Sequence, residues 1–341
     1  MSKRDYEVDI AVSGGAGRIS YALLPLLVDH VFENTGLGYD YRVNLRLLEI
    51  PEVVANLGGL AMELADFASP HLGEVSYTTD PNEAFDGVDV AILLGGVPRG
   101  AGMDRADLIA KNAPVFAEQG RALNMGAADN AKVLIVGNPA NSNTLVALSH
   151  APNMKPNQFA AMSRLDHNRA VSRLALQFAD EGVTPDRVEQ MAIWANHSKS
   201  MVVDISSATV WGRDVLDGVN PELPDWYADY AKTIAERGDA IIEARGGQSS
   251  VMSAAKATAD QLRDWIGGSE GRWHSMGLYS DGSRADIPEG IVSAMTVTTK
   301  RGGVIKPVQI FRRYDEIEAR KQASYDELLA ERAKLEEIEA I

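Results

Sequence analysis

The chain has 341 residues, enough for two domains, with 45% hydrophobic and 24% charged side chains, the proportions of a soluble globular protein. Its 48 acidic residues against 33 basic ones give a formal charge of −15. That argues against nucleic acid or an anionic membrane as a partner, and it requires any anionic substrate to find a locally basic pocket. There are no cysteines, so disulfides, thiolate metal sites and cysteine nucleophiles are excluded. Residues Met1 to Glu7 are polar and run straight into a strand pattern, so no signal peptide is expected. No apolar run approaches the ~20 residues of a membrane helix, and a cytoplasmic protein is the expectation.

Val8 to Ser13 reads as a buried strand, followed at once by Gly14-Gly15-Ala16-Gly17 and a helical stretch, Arg18 to Phe32, interrupted by Pro25. Strand, glycine turn and helix is the context in which a backbone can approach a pyrophosphate and offer it a helix N-terminus. Gly14 and Gly17 fit the second and third glycines of G-x-G-x-x-G, but Val12 stands where the first belongs, so a simple tight turn is an equal reading. Val43 to Ile50 is the next strand and ends in Glu49, the place where a carboxylate meets an adenosine ribose in a doubly wound fold. Glu49 follows Gly14 by 35 residues, against about 20 in the usual motif; the polar segment Glu33 to Tyr41 absorbs the excess as a loop.

Glu52 to Phe67 is predicted helical, Val88 to Leu94 is an apolar strand, and Gly95 to Gly102 is a glycine-rich loop carrying Pro98 and Arg99. Loops of this composition with an arginine are candidate lids over anions. Asp107 to Met125 resumes helical spacing, and Lys132 to Val136 is a further strand that closes on Gly137-Asn138-Pro139-Ala140-Asn141. Alternating strands and helices predict a doubly wound parallel sheet with its ligands at the strands' carboxyl ends.

Beyond about residue 150 the pattern changes to an α+β arrangement. A helix over Leu165 to Gln177 would place Asp166 and Arg169 on one face and His167 about 100° away. A strand over Val188 to Trp194 leads to Ala195-Asn196-His197-Ser198. A carboxylate beside a guanidinium can orient a histidine while the guanidinium grips a substrate carboxylate; His197 is the better candidate for that histidine. Taken alone, Asp166 and Arg169 read more readily as a helix cap and a local ion pair, and the rest of the chain shifts the reading. Asp204 to Trp211 is a candidate strand, Pro224 to Arg245 and Ser249 to Ile266 are predicted helices, and Trp273 to Ser280 with Ile291 to Thr299 predict a second, antiparallel sheet. Tyr314 to Ile341 is a charged terminal helix expected to be a solvated face. His30, His71, His150, His167 and His274 show no partner in the sequence, and no metal-ligand spacing is present.

These residues resemble the malate dehydrogenases of the cytosolic type, within the lactate/malate dehydrogenase superfamily, from about Val8 to Gly290. The specific pieces are Gly14 to Tyr21, Leu48-Glu49-Ile50-Pro51, Met62-Glu63-Leu64, Pro98-Arg99 with Gly102 to Leu108, Gly137 to Asn141, Arg164 to Ala170, Asn196-His197-Ser198 and Met252 to Ala257. The resemblance implies a Rossmann-like domain over 1–156 and a catalytic α+β domain over 157–341. It implies that His197 is the acid/base with Asp166 as its partner, and that Arg99, Arg105, Arg169 and Asn138 bind a dicarboxylate. It further implies that Gly14, Gly17, Arg18, Ile19, Glu49, Asn112, Asn138 and Ser253 hold NAD, that there is no metal, and that the chain forms a homodimer. The expected reaction is the reversible oxidation of malate to oxaloacetate. The alternatives are a dehydrogenase of another 2-hydroxy acid such as lactate, or a dinucleotide-binding protein without turnover. The segment Lys199 to Asp204 departs from the family's pattern next to the expected base, which leaves rate and fine specificity open.

Overall fold

The computed structural model describes residues 6–32, 41–97, 103–216, 222–284 and 286–341. Its first half alternates strands and helices: β1 (Tyr6–Ser13), α1 (Arg18–Asp29), β2 (Tyr41–Leu48), α2 (Leu57–Asp66), β3 (Leu72–Thr78), α3 (Pro81–Phe85), β4 (Val90–Leu93), α4 (Arg105–Gly126), β5 (Lys132–Ile135), α5 (Ala140–Ser149) and β6 (Phe159–Ala161), of which β3, α3, α5 and β6 are not among the expected elements. The strands lie in the order β3-β2-β1-β4-β5-β6, all parallel, as in a doubly wound dinucleotide-binding sheet. Val90 to Leu93 is buried at every residue, which is what helices on both faces of a parallel sheet require. The edge strand β3 has no buried residue, so no apolar run announces it in the sequence.

The second half comprises α6 (Arg164–Gln177), β7 (Val188–Glu189), β8 (Ala192–Trp194), β9 (Val202–Asp204), β10 (Thr209–Val210), β11 (Arg213–Asp214), α7 (Tyr227–Ala235), α8 (Arg237–Ala244), α9 (Met252–Gly267), β12 (His274–Tyr279), β13 (Val292–Lys300), β14 (Val304–Pro307) and α10 (Asp315–Glu337). Several expectations are corrected here. Strands β12, β13 and β14 do not form a second sheet; they extend the first one antiparallel to nine strands through the pairing of Gly277 with Ala161. A Cβ at Gly277 would lie 2.5 Å from that of Ala161, so only glycine permits this seam. The strand expected over 188–194 is broken at Gln190, whose φ is +56°, leaving β7 and β8 in different sheets. The strand expected over 204–211 is instead β9, hydrogen-bonded to β8, and β10, which turns into β11. The helix expected over 224–245 is two, α7 and α8, meeting at Glu236.

Helix α10 is also corrected. It is charged, but Ile317, Tyr325, Leu328 and Leu335 are buried along one side together with Lys321, Ser324 and Glu331. It therefore packs on the protein, and its polar buried residues have work inside it. No described helix is long and apolar enough to cross a membrane.

Candidate active site

The carboxyl ends of β1, β2, β4 and β5 form one rim. At β1, Gly14 has a φ of +69°, and a Cβ on it would fall 2.8 Å from the Gly95 backbone after β4. Glycine at both places lets the two turns touch and keeps the backbone bare. Gly17 N–H donates to Gly14 O at 2.9 Å and closes the turn into α1. The first turn of α1, which opens at Arg18 and Ile19, has neither a side-chain cap nor an acidic residue. It offers free amides and the positive end of a helix dipole, a donor set suited to a pyrophosphate. The Arg18 guanidinium itself is directed to Gln248 at 3.1 Å.

Glu49 follows β2 directly. Its Oε2 accepts the Ala16 N–H at 3.0 Å and its Oε1 accepts the Ile50 N–H at 3.0 Å. The carboxylate thus pins the end of β2 to the glycine turn, and each oxygen keeps a lone pair for a ribose hydroxyl. These residues fit a dinucleotide. Asn138, after β5, has an exposed side chain with no hydrogen bond among the described residues and is available to a ligand. Asn112 lies beneath this rim. It is fully buried on α4, its Oδ1 accepts the Val97 N–H at 2.7 Å, and its Nδ2 donates to the carbonyls of Val97 and Asn138. Its amide holds the two loops together.

Asp166 is the third residue of α6, where a carboxylate is favoured by the helix N-terminus, and it is 2% exposed. Its Oδ2 lies 2.5 Å from His197 Nδ1, and its Oδ1 lies 3.5 Å from Arg169 Nη1. One buried carboxylate therefore faces both the imidazole and the guanidinium. His197 is delivered by a turn after β8 in which Ala195 holds a left-handed φ of +69°, fixed by a reciprocal pair of hydrogen bonds with Ala294. The His197 N–H donates to Asn141 Oδ1 at 3.0 Å. With Nδ1 on Asp166, His197 Nε2 is the nitrogen left for a ligand. Arg169 also reaches Ser250 at 3.3 Å; burial lowers its pKa, Asp166 opposes that shift and Arg237 reinforces it. Arg169 and Ser253 share the lining of a cavity of about 330 Å³.

His167 points elsewhere, against Ser275 Oγ at 3.2 Å in the buried interior, and burial holds its pKa well below the usual value. The other histidines also have partners, contrary to the expectation: Asp260 for His30, the Tyr41 ring and carbonyl for His71, Val146 O for His150 and Thr299 for His274. Arg105 is the first residue of α4, behind a capping box of Asp104 and Asp107. It is paired with Glu331 of α10 at 2.5 Å and donates to Asn196 at 3.2 Å. Arg99 lies outside the described residues. In the departing segment, Lys199 pairs with Asp239 at 2.5 Å, and Asp204 accepts the Trp194 indole N–H at 2.9 Å.

Three functional neighbours escape a reading of the sequence. Asn141 and Asn196 sit inside the family motifs but carry no role there, and Glu331 gives no signal at all, since only the packing of α10 brings it to the site.

The chain matches the family model described as lactate/malate dehydrogenase, NAD binding domain, over residues 8–160, and that of the lactate/malate dehydrogenase alpha/beta C-terminal domain over residues 163–339. Among solved structures it is similar to malate dehydrogenase from Naegleria fowleri, at 39% identity and a TM-score of 0.88, covering 97% of this chain and 98% of that one. It is equally close in fold to a single-substitution variant of Trichomonas vaginalis lactate dehydrogenase in its apo form, at 33% identity and a TM-score of 0.88, covering 98% and 99% of the two chains. A third, Trichomonas vaginalis lactate dehydrogenase in complex with NADH and oxamate, has 32% identity and a TM-score of 0.87 over 98% and 99%.

Proposed function

The chain belongs to the lactate/malate dehydrogenase family, and on that premise we propose that it is an NAD-dependent malate dehydrogenase interconverting (S)-malate and oxaloacetate. The observation that carries the reading is Asp166 placed between His197 and Arg169, with Nδ1 of the imidazole engaged and Nε2 left for substrate. The choice of malate over lactate is supported by Arg99 in the Pro98-Arg99 and Met103-Asp104-Arg105 motif, and by the likeness to the Naegleria enzyme.

Neutral His197 takes the hydroxyl proton at Nε2 during malate oxidation, and Asp166 stabilises the imidazolium that results. In the other direction the imidazolium returns the proton, and Arg105 stabilises negative charge on the carbonyl oxygen. Arg169 holds the carboxylate beside the reacting carbon in a two-pronged contact. Arg99 pairs with the distal carboxylate, and Gly14, Gly17 and Glu49 hold the dinucleotide. NAD, when bound, accepts or supplies the hydride. A second reading, lactate dehydrogenase, is favoured by the two Trichomonas structures. Following NADH loss with oxaloacetate and with pyruvate separates the two: kcat/KM is expected to be higher for oxaloacetate, and a preference for pyruvate would replace malate by lactate.

A further inference from the structure

Glu331 lies on α10, remote in sequence from the rest of the site, and its side chain is only 7% exposed. Its Oε1 accepts from Arg105 Nε at 2.5 Å and from Asn196 Nδ2 at 2.8 Å, and its Oε2 accepts from the Ser142 hydroxyl. Asn196 closes a ring by accepting at Oδ1 from Arg105 Nη2 at 3.2 Å. The side-on edge of the guanidinium is thereby spent on protein, while Nη1 has no protein partner among the described residues. The same face of α10 grips the histidine loop. Ser324 accepts the Asn196 N–H at 3.1 Å, and Glu327 accepts from Ser198 at 2.8 Å and from Ser200.

A carboxylate buried to this extent would be strongly destabilised by losing the cation it is paired with. The pair therefore resists separation, and it leaves Arg105 with one edge fixed and one edge free. Donors held in position before charge develops are the most effective kind, because no reorganisation is needed at the moment of reaction. We propose that Glu331 is a positioning residue for the reaction: it fixes the side-on edge of Arg105, in register with His197 through Asn196, so that the free edge meets the reacting carbonyl. This rests on the reading of Arg105 as the group that stabilises that carbonyl oxygen. It assigns a kinetic role to the C-terminal helix.

The test uses the full chain, NADH and whichever of oxaloacetate and pyruvate is the better substrate. Glu331→Gln, Glu331→Asp, Arg105→Gln and the Arg105→Gln/Glu331→Gln double variant are compared by kcat, KM, NADH Kd and Tm. Glu331→Gln should lower kcat by about tenfold or more while NADH Kd stays within about twofold, and Glu331→Asp, which keeps the charge, should fall between it and the parent. In the Arg105→Gln background the same change should cost less than about twofold, because a residue acting through Arg105 has nothing left to act through. Equal losses in both backgrounds would mean a purely structural role and overturn the proposal. So would an unchanged kcat in Glu331→Gln beside a crippled Arg105→Gln. Full turnover in Arg105→Gln is a different failure: it removes the reading of Arg105, and the positioning role with it. If Glu331→Gln does not fold, Glu331→Asp decides, and parental kcat in that variant overturns the proposal.

Discussion

Asp166 shows how much one side chain can settle. A carboxyl group this buried requires polar partners, and it finds them in His197 and Arg169 together. His197→Asn should leave NADH affinity nearly intact and lower turnover by about 10²- to 10⁴-fold, the range for a lost general acid–base group. His167→Asn, altering a ring packed against Ser275, should change Tm more than kcat. Loss of turnover in the His167 variant alone would move the base to the other histidine. Substrate choice is a residue question too. Oxaloacetate carries a carboxylate where pyruvate carries a methyl group, so its site needs one more cation. With Arg169 and Arg105 assigned to the reacting end in the proposed function, Arg99 is the residue proposed for the distal one. Arg99→Gln should lower kcat/KM for oxaloacetate by at least about tenfold, since a charge-assisted hydrogen bond contributes roughly 1.5–3 kcal/mol. The loss on pyruvate should be smaller; parallel losses on the two would take Arg99 off the distal carboxylate. Asp166, Arg169 and His197 were legible because each lies in a short local pattern whose chemistry is recognisable. The surroundings of Asn112 were not legible: its amide turns inward to Val97 and Asn138, and only packing decides that.

Elements were legible where one period dominates. The buried strands β1, β4 and β5 and the long helix α4 follow from apolar runs and 3.6-residue spacing. The break at Gln190, the separation of α7 from α8 and the buried face of α10 were not, because charged side chains at buried positions look solvated until their partners are known. Helices α6 and α9 and strand β12 show this most clearly. Arg164 pairs with Asp264 at 2.6 Å beside two buried imidazoles, His167 and His274. Burial, with repulsion from Arg164, lowers the His274 pKa to about 3 and holds His167 well below its usual value. Burial alone would raise Asp264, but Arg164 and Arg263 bring it down to about 2. In the unfolded chain both imidazoles protonate near pH 6.5. Below that pH the unfolded state binds protons that the native state refuses. Their contribution is thus complete above about pH 6.5 and is lost as pH falls below it, for His274 down to about 3, at up to about 1.4 kcal/mol per pH unit for each histidine. Asp264 adds a loss of its own only as pH falls below about 3.9 toward 2. Denaturant unfolding at pH 7 and pH 5 should show His274→Phe losing less stability on acidification than the parent, by about 2 kcal/mol over the whole interval. An identical pH slope in the two proteins would mean that His274 already protonates in the native state.

On the scale of the whole molecule, the alternation of strands and helices announces the doubly wound half. The continuation of its sheet into β12–β14 was hidden, because nothing local says that Gly277 will lie against Ala161. The surface raises a separate question, the homodimer expected from the family resemblance. A groove of about 690 Å³ opens between α1, α2 and the start of α9, lined by Tyr21, Leu60, Leu64, Phe67, Val251 and Met252. Phe67 is 56% exposed and Met252 82%, large apolar side chains that line the same groove beside Arg18, Glu63 and Arg245. Apolar patches of this kind on a soluble surface are commonly covered by a partner. Two chains of −15 each repel, so an apolar contact has to supply the attraction, and screening by salt should help it. Helices α1 and α9 carry Gly17, Arg18 and Ser253 at their starts, so covering the groove would also brace the cofactor end of the site. Light scattering at micromolar concentration should therefore give twice the 36.8 kDa chain mass. The dimer should tighten from low to moderate ionic strength, and Phe67→Glu with Met252→Glu should shift the mass to that of one chain while far-UV dichroism is unchanged. A single-chain mass at every concentration and salt, or a double variant that stays dimeric, would take this groove out of the interface.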